Sequence, residues 1–203
     1  MQIFKTIVIS VFTLVSFYAF PQQPKLDLKL IGGINTNSFI YKVEGIRSEM
    51  FLGWQAGAGA RVMYRHVFGE FDFLFKEFGT EYLPGDLDSI LTDELSLKMK
   101  ALEFPIVAGY IPVKTPFFKW FVYGGFVNKF SLKGKIKYQD EVIKFKPKEA
   151  NLHFYNLLAR IGTQVDIAMF NFDVSYDIGI TNGIKGKART NTNGFHFSAA
   201  FLF

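Results

Sequence analysis

Between residues 172 and 181 the chain alternates without a fault. Phe172, Val174, Tyr176, Ile178 and Ile180 fall on one side, and Asp173, Ser175, Asp177, Gly179 and Thr181 on the other. Successive strand side chains point to opposite faces, so a period of two is a strand signal. Residues 194–203 repeat the design with more aromatics: Phe195, Phe197, Ala199, Phe201 and Phe203 oppose His196, Ser198, Ala200 and Leu202. No charge interrupts the apolar face of either stretch. Apolar outward and polar inward over about 9–11 residues is the pattern of a strand that crosses a membrane. Such strands constrain the whole chain, because an open sheet edge cannot be satisfied in hydrocarbon and the sheet must close on itself.

Six further segments carry the same signal. Residues 25–35 place Leu26, Leu28 and Leu30 against Asp27 and Lys29, and residues 51–64 place Leu52, Trp54, Ala56, Ala58, Ala60, Val62 and Tyr64 against Gln55, Gly57, Gly59 and Arg61. In 70–80, Phe71, Phe73 and Phe75 oppose Glu70, Asp72 and Lys76; in 97–110, Leu102, Phe104, Ile106, Ala108 and Tyr110 oppose Glu103, Val107 and Gly109. Pro105 lies inside that strand and lacks an N–H, which predicts a bulge or a gap in the ladder. Residues 118–130 carry Trp120, Val122, Gly124 and Phe126 on one face, and 152–168 set Tyr155, Leu157, Ala159, Ile161, Val165 and Ile167 against Asn156, Arg160, Gln164 and Asp166. The fold class expected is all-β, an eight-stranded antiparallel up-and-down transmembrane β-barrel.

The connections alternate in length. Those at 65–69, 111–117 and 169–171 are short; those at 36–50, 82–96, 131–150 and 182–193 are long. The loop at 131–150 carries Lys133, Lys135, Lys137, Lys144, Lys146 and Lys148, with room for a short hairpin extension. Short periplasmic turns and long extracellular loops are the asymmetry of outer-membrane barrels. That predicts a cell outer-membrane location with both termini periplasmic. Tyr64, Tyr110, Trp120 and Phe203 then belong at the periplasmic rim and Trp54 nearer the outer one, as interfacial aromatics.

Composition narrows the classes. Phe alone contributes 25 of the 203 residues, more than a soluble core of this size needs, and there is no Cys. Disulfides, thiol catalysis and cysteine metal sites are therefore excluded. Residues 1–23 read as a signal peptide, with Lys5 before an apolar run at 6–20 that is short for a spanning helix; residues 24–203 are then the barrel domain. The three His, His66, His153 and His196, are not clustered. No metal, cofactor or nucleic acid is expected.

The segments Leu102-Glu103-Phe104-Pro105-Ile106, Asp173-Val174-Ser175-Tyr176 and Gly179-Ile180-Thr181-Asn182, with the Phe-rich terminal strand, resemble the small outer-membrane β-barrel family of Bacteroidota-type bacteria, often called PorT-like. The resemblance spans essentially the whole chain after residue 23. Some relatives take part in type IX secretion, and nothing in these residues marks that role.

In a membrane barrel the polar faces fill the lumen. Asp27, Lys29, Arg61, Glu70, Asp72, Lys76, Glu103, Arg160, Asp166, Asp173 and Asp177 would form a charge network there. Buried charges are costly unless paired, and Glu103 is expected to pair with Arg61 or Arg160. An eight-stranded interior is about filled by its own side chains, so an open pore is not expected. His196 and Ser198 sit two apart on the lumen face, as a hydrogen-bonded pair rather than a nucleophile and base. The function expected is a non-enzymatic membrane scaffold, with outer-membrane lipid and lipopolysaccharide around it and a protein partner at its extracellular loops or periplasmic rim. The alternatives are an envelope-lipid-modifying enzyme, a narrow channel, and a soluble lipocalin-like carrier with its apolar face inward.

Overall fold

Ten strands realise the alternation: β1 (Lys25–Ile40), β2 (Ser48–Glu49), β3 (Phe51–Tyr64), β4 (Val67–Tyr82), β5 (Leu95–Lys114), β6 (Phe118–Tyr138), β7 (Glu141–Phe145), β8 (Tyr155–Ile167), β9 (Phe170–Gly179) and β10 (Asn191–Leu202). The computed structural model describes residues 24–40, 48–49, 51–82, 95–138, 141–145, 153–181 and 191–203. The expected signal segment 1–23 and most of the expected long loops lie outside the described residues.

Eight of these strands form a ring. The pairing runs β4-β3-β1-β10-β9-β8-β6-β5, and β5 returns to β4. Every pairing is antiparallel, so the fold is a closed eight-stranded up-and-down barrel. Closure is made by the terminal strand, with Ile34 opposite Phe197 and Leu30 opposite Phe201. Backbone bonds between Leu28 and Phe203 extend the seam past the last strand residue. No sheet edge is left among the barrel strands, as hydrocarbon demands. The short strands β2 and β7 add to β4 and β6 beyond the ring.

Three connections are tight. The turns at 65–66 and 168–169 need a positive φ, which Arg65 (54°) and Ala168 (53°) supply, because a two-residue hairpin must follow the strand twist. The third spans 115–117, where Thr115 Oγ1 accepts from the Phe118 N–H at 3.0 Å. Both described ends of the chain lie at this same mouth.

The strands run further than the hydrophobic pattern predicts. Residues 36–40, 67–69 and 111–114, expected in connections, are strand, and in the loop expected at 131–150 residues 134–138 pair with 141–145 as the short hairpin extension it had room for. Outside an apolar belt the ladder continues through polar residues, and hydropathy no longer marks its end. The proline expectation resolves as a gap. The β4–β5 ladder pairs Phe71 with Ile106 and resumes at Leu74 with Glu103 in the same register, skipping Pro105. Bulges fall elsewhere in the β5–β6 ladder, on β6 opposite Lys100/Ala101 and on β5 between Tyr110 and Val113.

Polarity is inverted relative to a soluble barrel. Leu26, Leu30, Phe71, Ile106, Phe126, Ile161, Phe172, Ile178, Phe197 and Phe201 are exposed, at 41–59% of their surface. Their inward neighbours are buried and mostly polar. Ring contacts lace the exterior, as between Phe73 and Phe104 (5.2 Å), Phe104 and Phe130 (5.7 Å) and Tyr176 and Phe195 (4.6 Å). Tyr110, Trp120 and Phe203 are exposed and Tyr64 half-buried, all near the tight-turn mouth; Trp54 is exposed towards the other end. Trp120 donates its indole N–H to Thr163 Oγ1 at 2.7 Å, so no polar group on it faces outward unbonded.

Candidate functional site

Among the described residues, the interior gathers most of the barrel's buried polar and charged side chains. Parity builds it. With apolar residues outward on every strand, the intervening positions point to the axis and place opposite charges directly across from each other. Arg61 faces Glu70, Glu103 faces Lys129, Lys119 faces Asp166, and Arg160 faces Asp177.

The storey nearer the tight turns is centred on Arg61, which is fully buried. Its Nε donates to Glu70 Oε2 at 2.7 Å and its Nη1 to Asp166 Oδ2 at 2.9 Å, while Nη2 donates to Gln164. Asp166 stands across the bore on β8, so this one side chain ties β3 to β8. Glu70 also takes the Lys29 ammonium, and Asp72 Oδ1 lies 3.3 Å from Lys29 Nζ. Gly59, between Lys29 and Asp72 in the sheet, leaves that pair its space: a Cβ there would run into Asp72 Oδ1. Beneath Arg61 the mouth is stopped by Met63, Phe68, Ile111 and Phe121, with Tyr123 packed on them. The guanidinium lies 4.4 Å from the Phe121 ring centre. Asp27 sits at this mouth, 2.8 Å from the exposed Lys25.

The second storey holds Lys76, Glu103, Lys129, Arg160, Asp177 and His196, each at most 5% exposed. Glu103 receives three cations, Lys76 at 3.2 Å, Arg160 at 3.6 Å and Lys129 at 3.9 Å. The expected Arg160 partner is therefore present, whereas Arg61 is a storey away and bonded elsewhere. Arg160 grips Asp177 with two bonds of 2.6 and 2.8 Å. His196 Nε2 lies 2.9 Å from Asp177, and its Nδ1 3.3 Å from Gln55 Oε1. Ser198 accepts from Gln55 at 2.8 Å. His196 and Ser198 are thus joined through Gln55 rather than by the direct bond expected of the pair, with the histidine fully buried, and the two do not assemble a nucleophile and base.

A cavity of about 20 Å³ lies between the storeys, lined by Lys29, Asp72, Tyr123, Arg160, Asp173 and Ser198 among others. That is room for about one water. Asp173 is half-buried and accepts from Tyr123 and, at 3.2 Å, from Ser175. All the expected lumen residues face the interior. Gln55 and Gln164 lie on the inward faces as the alternation expects, and Lys129 and Asn171, which the sequence reading leaves out, share that inward parity; the Trp120 face of β6 does not by itself reveal Lys129.

The fold and the site define a closed β-barrel with an apolar exterior and a charged, filled interior. No family model matches the chain, and no curated protein matches it. Among solved structures it is similar to Ail, the attachment invasion locus protein of Yersinia pestis, at 12% identity over 87% of this chain and 98% of that one, with a TM-score of 0.46. It is also similar to Neisserial surface protein A (8% identity, 90% and 100% covered, TM-score 0.49) and to the outer membrane protein OprG from Pseudomonas aeruginosa (13%, 89% and 97%, 0.43). The strand pairing of this chain by itself defines the fold.

Proposed function

We propose that this chain is an integral outer-membrane β-barrel that works as a non-enzymatic scaffold, its lumen closed by ion pairs and its contacts made by the ends of the barrel. The observation that carries this reading is the inverted polarity: aliphatic and aromatic residues cover the outside, and buried charge fills the inside. A lipocalin-like carrier needs the reverse. The tight-turn mouth, which holds residues 24 and 203, is assigned to the periplasm on the rule that periplasmic turns are short. The resemblance to PorT-like barrels belongs to the same reading and rests on the segments quoted for it. An enzyme acting on envelope lipid would need a reacting group where acyl chains reach, and His196 and Ser198 face the lumen. A channel would need a path past the two storeys of ion pairs.

Affinity purification from native outer membrane, with a tag inserted at 139–140, tests the scaffold reading. The expected result is a protein partner recovered in fixed ratio with the barrel. A barrel recovered alone that hydrolyses lipid, or that conducts ions in planar bilayers, contradicts it.

A further inference from the structure

Above the apolar belt, at the end away from the tight turns, three lysines stand side by side on three adjacent strands. Lys98 of β5 pairs with Lys135 of β6, and Lys135 with Lys144 of β7. The neighbouring row pairs Lys100 with Lys133. Lys98, Lys133, Lys135 and Lys144 are exposed, and the Lys100 side chain is 43% exposed. The next pairs towards the tight turns, Leu102 with Phe130 and Phe104 with Asn128, already belong to the largely apolar exterior.

Their common orientation comes from a bulge. The register shift at Lys100/Ala101 leaves Leu132 as the extra residue, since Ala101 pairs with Ser131 and Lys100 with Lys133. Below it the outward residues of β6 are even-numbered, such as Phe126 and Phe130; above it they are odd-numbered. Without the bulge Lys133 and Lys135 would point into the barrel. Bulges re-aim side chains in this way, and here the effect is to bring the lysines of β6 beside those of β5 and β7. Like charges directly opposite on neighbouring strands destabilise a sheet. Among the described residues Glu77 approaches the patch, 4.0 Å from Lys100, and no carboxylate pairs with Lys133, Lys135 or Lys144.

We infer that this patch binds the phosphorylated headgroup of an outer-leaflet lipid. The patch lies on the lipid-facing side and directly above the belt, which is headgroup depth. Three strands at about 4.8 Å spacing spread the ammonium groups over roughly 10 Å, the scale of one headgroup bearing two phosphates. Lysine ammonium groups suit phosphate as point charges. The inference rests on the membrane reading above, which supplies both the lipid and its depth.

The test titrates the detergent-solubilised full chain with bisphosphorylated lipid A and, separately, with phosphatase-treated lipid A, and counts bound lipid by native mass spectrometry. The wild type is expected to prefer the phosphorylated lipid about tenfold. The row variant Lys98→Gln/Lys135→Gln/Lys144→Gln should lose that preference. The variant Lys25→Gln/Arg65→Gln/Lys114→Gln, which removes as many charges at the opposite mouth, should keep it. Heat-modifiable migration checks that each variant is folded, and if the row variant does not fold, Lys135→Gln alone carries the test. A row variant that keeps the preference, or a mouth variant that loses it equally, overturns the inference. Displacement of the lipid by millimolar inorganic phosphate also overturns it, by making the patch a free-anion site. These failures leave a detergent-dependent barrel intact; a chain that is folded without detergent and ignores both lipids fails the membrane reading instead.

Discussion

Replacing Arg61 by Met tests whether the lumen network holds the barrel together. The guanidinium is fully buried and bonded to Glu70, Asp166 and Gln164. Met keeps most of the volume over Phe121 and removes the charge. Glu70 retains Lys29, whereas Asp166 is left with Asn171 at 2.7 Å and Lys119 at 3.8 Å. Breaking a buried pair by deleting one partner costs about 3–5 kcal/mol, because the other charge stays in a medium that solvates it poorly. With urea slopes of about 1–3 kcal/mol per molar, the unfolding midpoint in lipid vesicles should fall by at least about 1 M. The double variant Arg61→Met/Asp166→Asn removes the stranded charge together with its partner. It should recover more than half of the loss, as a double-mutant cycle measures directly. Arg61→Met unfolding at the wild-type midpoint, or a double variant that merely adds the two single costs, refutes the reasoning.

Glu103→Gln leaves Lys76, Lys129 and Arg160 around a neutral amide, and should cost about 3 kcal/mol in the same urea assay; an unchanged midpoint would mean the triple contact carries no stability. Ile178→Arg puts a cation on the outward face of β9, where Ile178 is 41% exposed. Near the midplane of a bilayer that costs about 2–4 kcal/mol, whereas in water it would be nearly silent. For orientation, an impermeant thiol label on intact cells should reach an engineered Cys at 140 or 187 and miss one at 66 or 116; the reverse labelling would invert the barrel.

Much of the fold was legible because a membrane barrel shows its pattern twice, apolar outward and polar inward, on each strand. Parity alone places the eleven charged residues from Asp27 to Asp177 named above in the lumen, and the same parity on β6 puts Lys129 there as well. Strand ends were not legible. Above the belt neither face is buried in lipid, so a segment such as 134–138, with Lys at alternate positions, reads as loop although it is paired on both sides. Partner choice was not legible either. Whether Glu103 meets Arg61 or Arg160 depends on axial height, which stagger between strands sets and side-chain period does not. The bulge at Lys100/Ala101 has no local signature in composition, and yet it decides which way the lysines face.

The central claim is that the exposed apolar surface meets lipid, and its most direct measurement is folding with and without an amphiphile. Residues 24–203, refolded from urea, should gain β-sheet circular dichroism and heat-modifiable migration only when detergent micelles or phospholipid vesicles are present, and should precipitate in plain buffer. A monodisperse, β-rich protein in plain buffer, with Ile178→Arg as stable as the parent, would contradict the account.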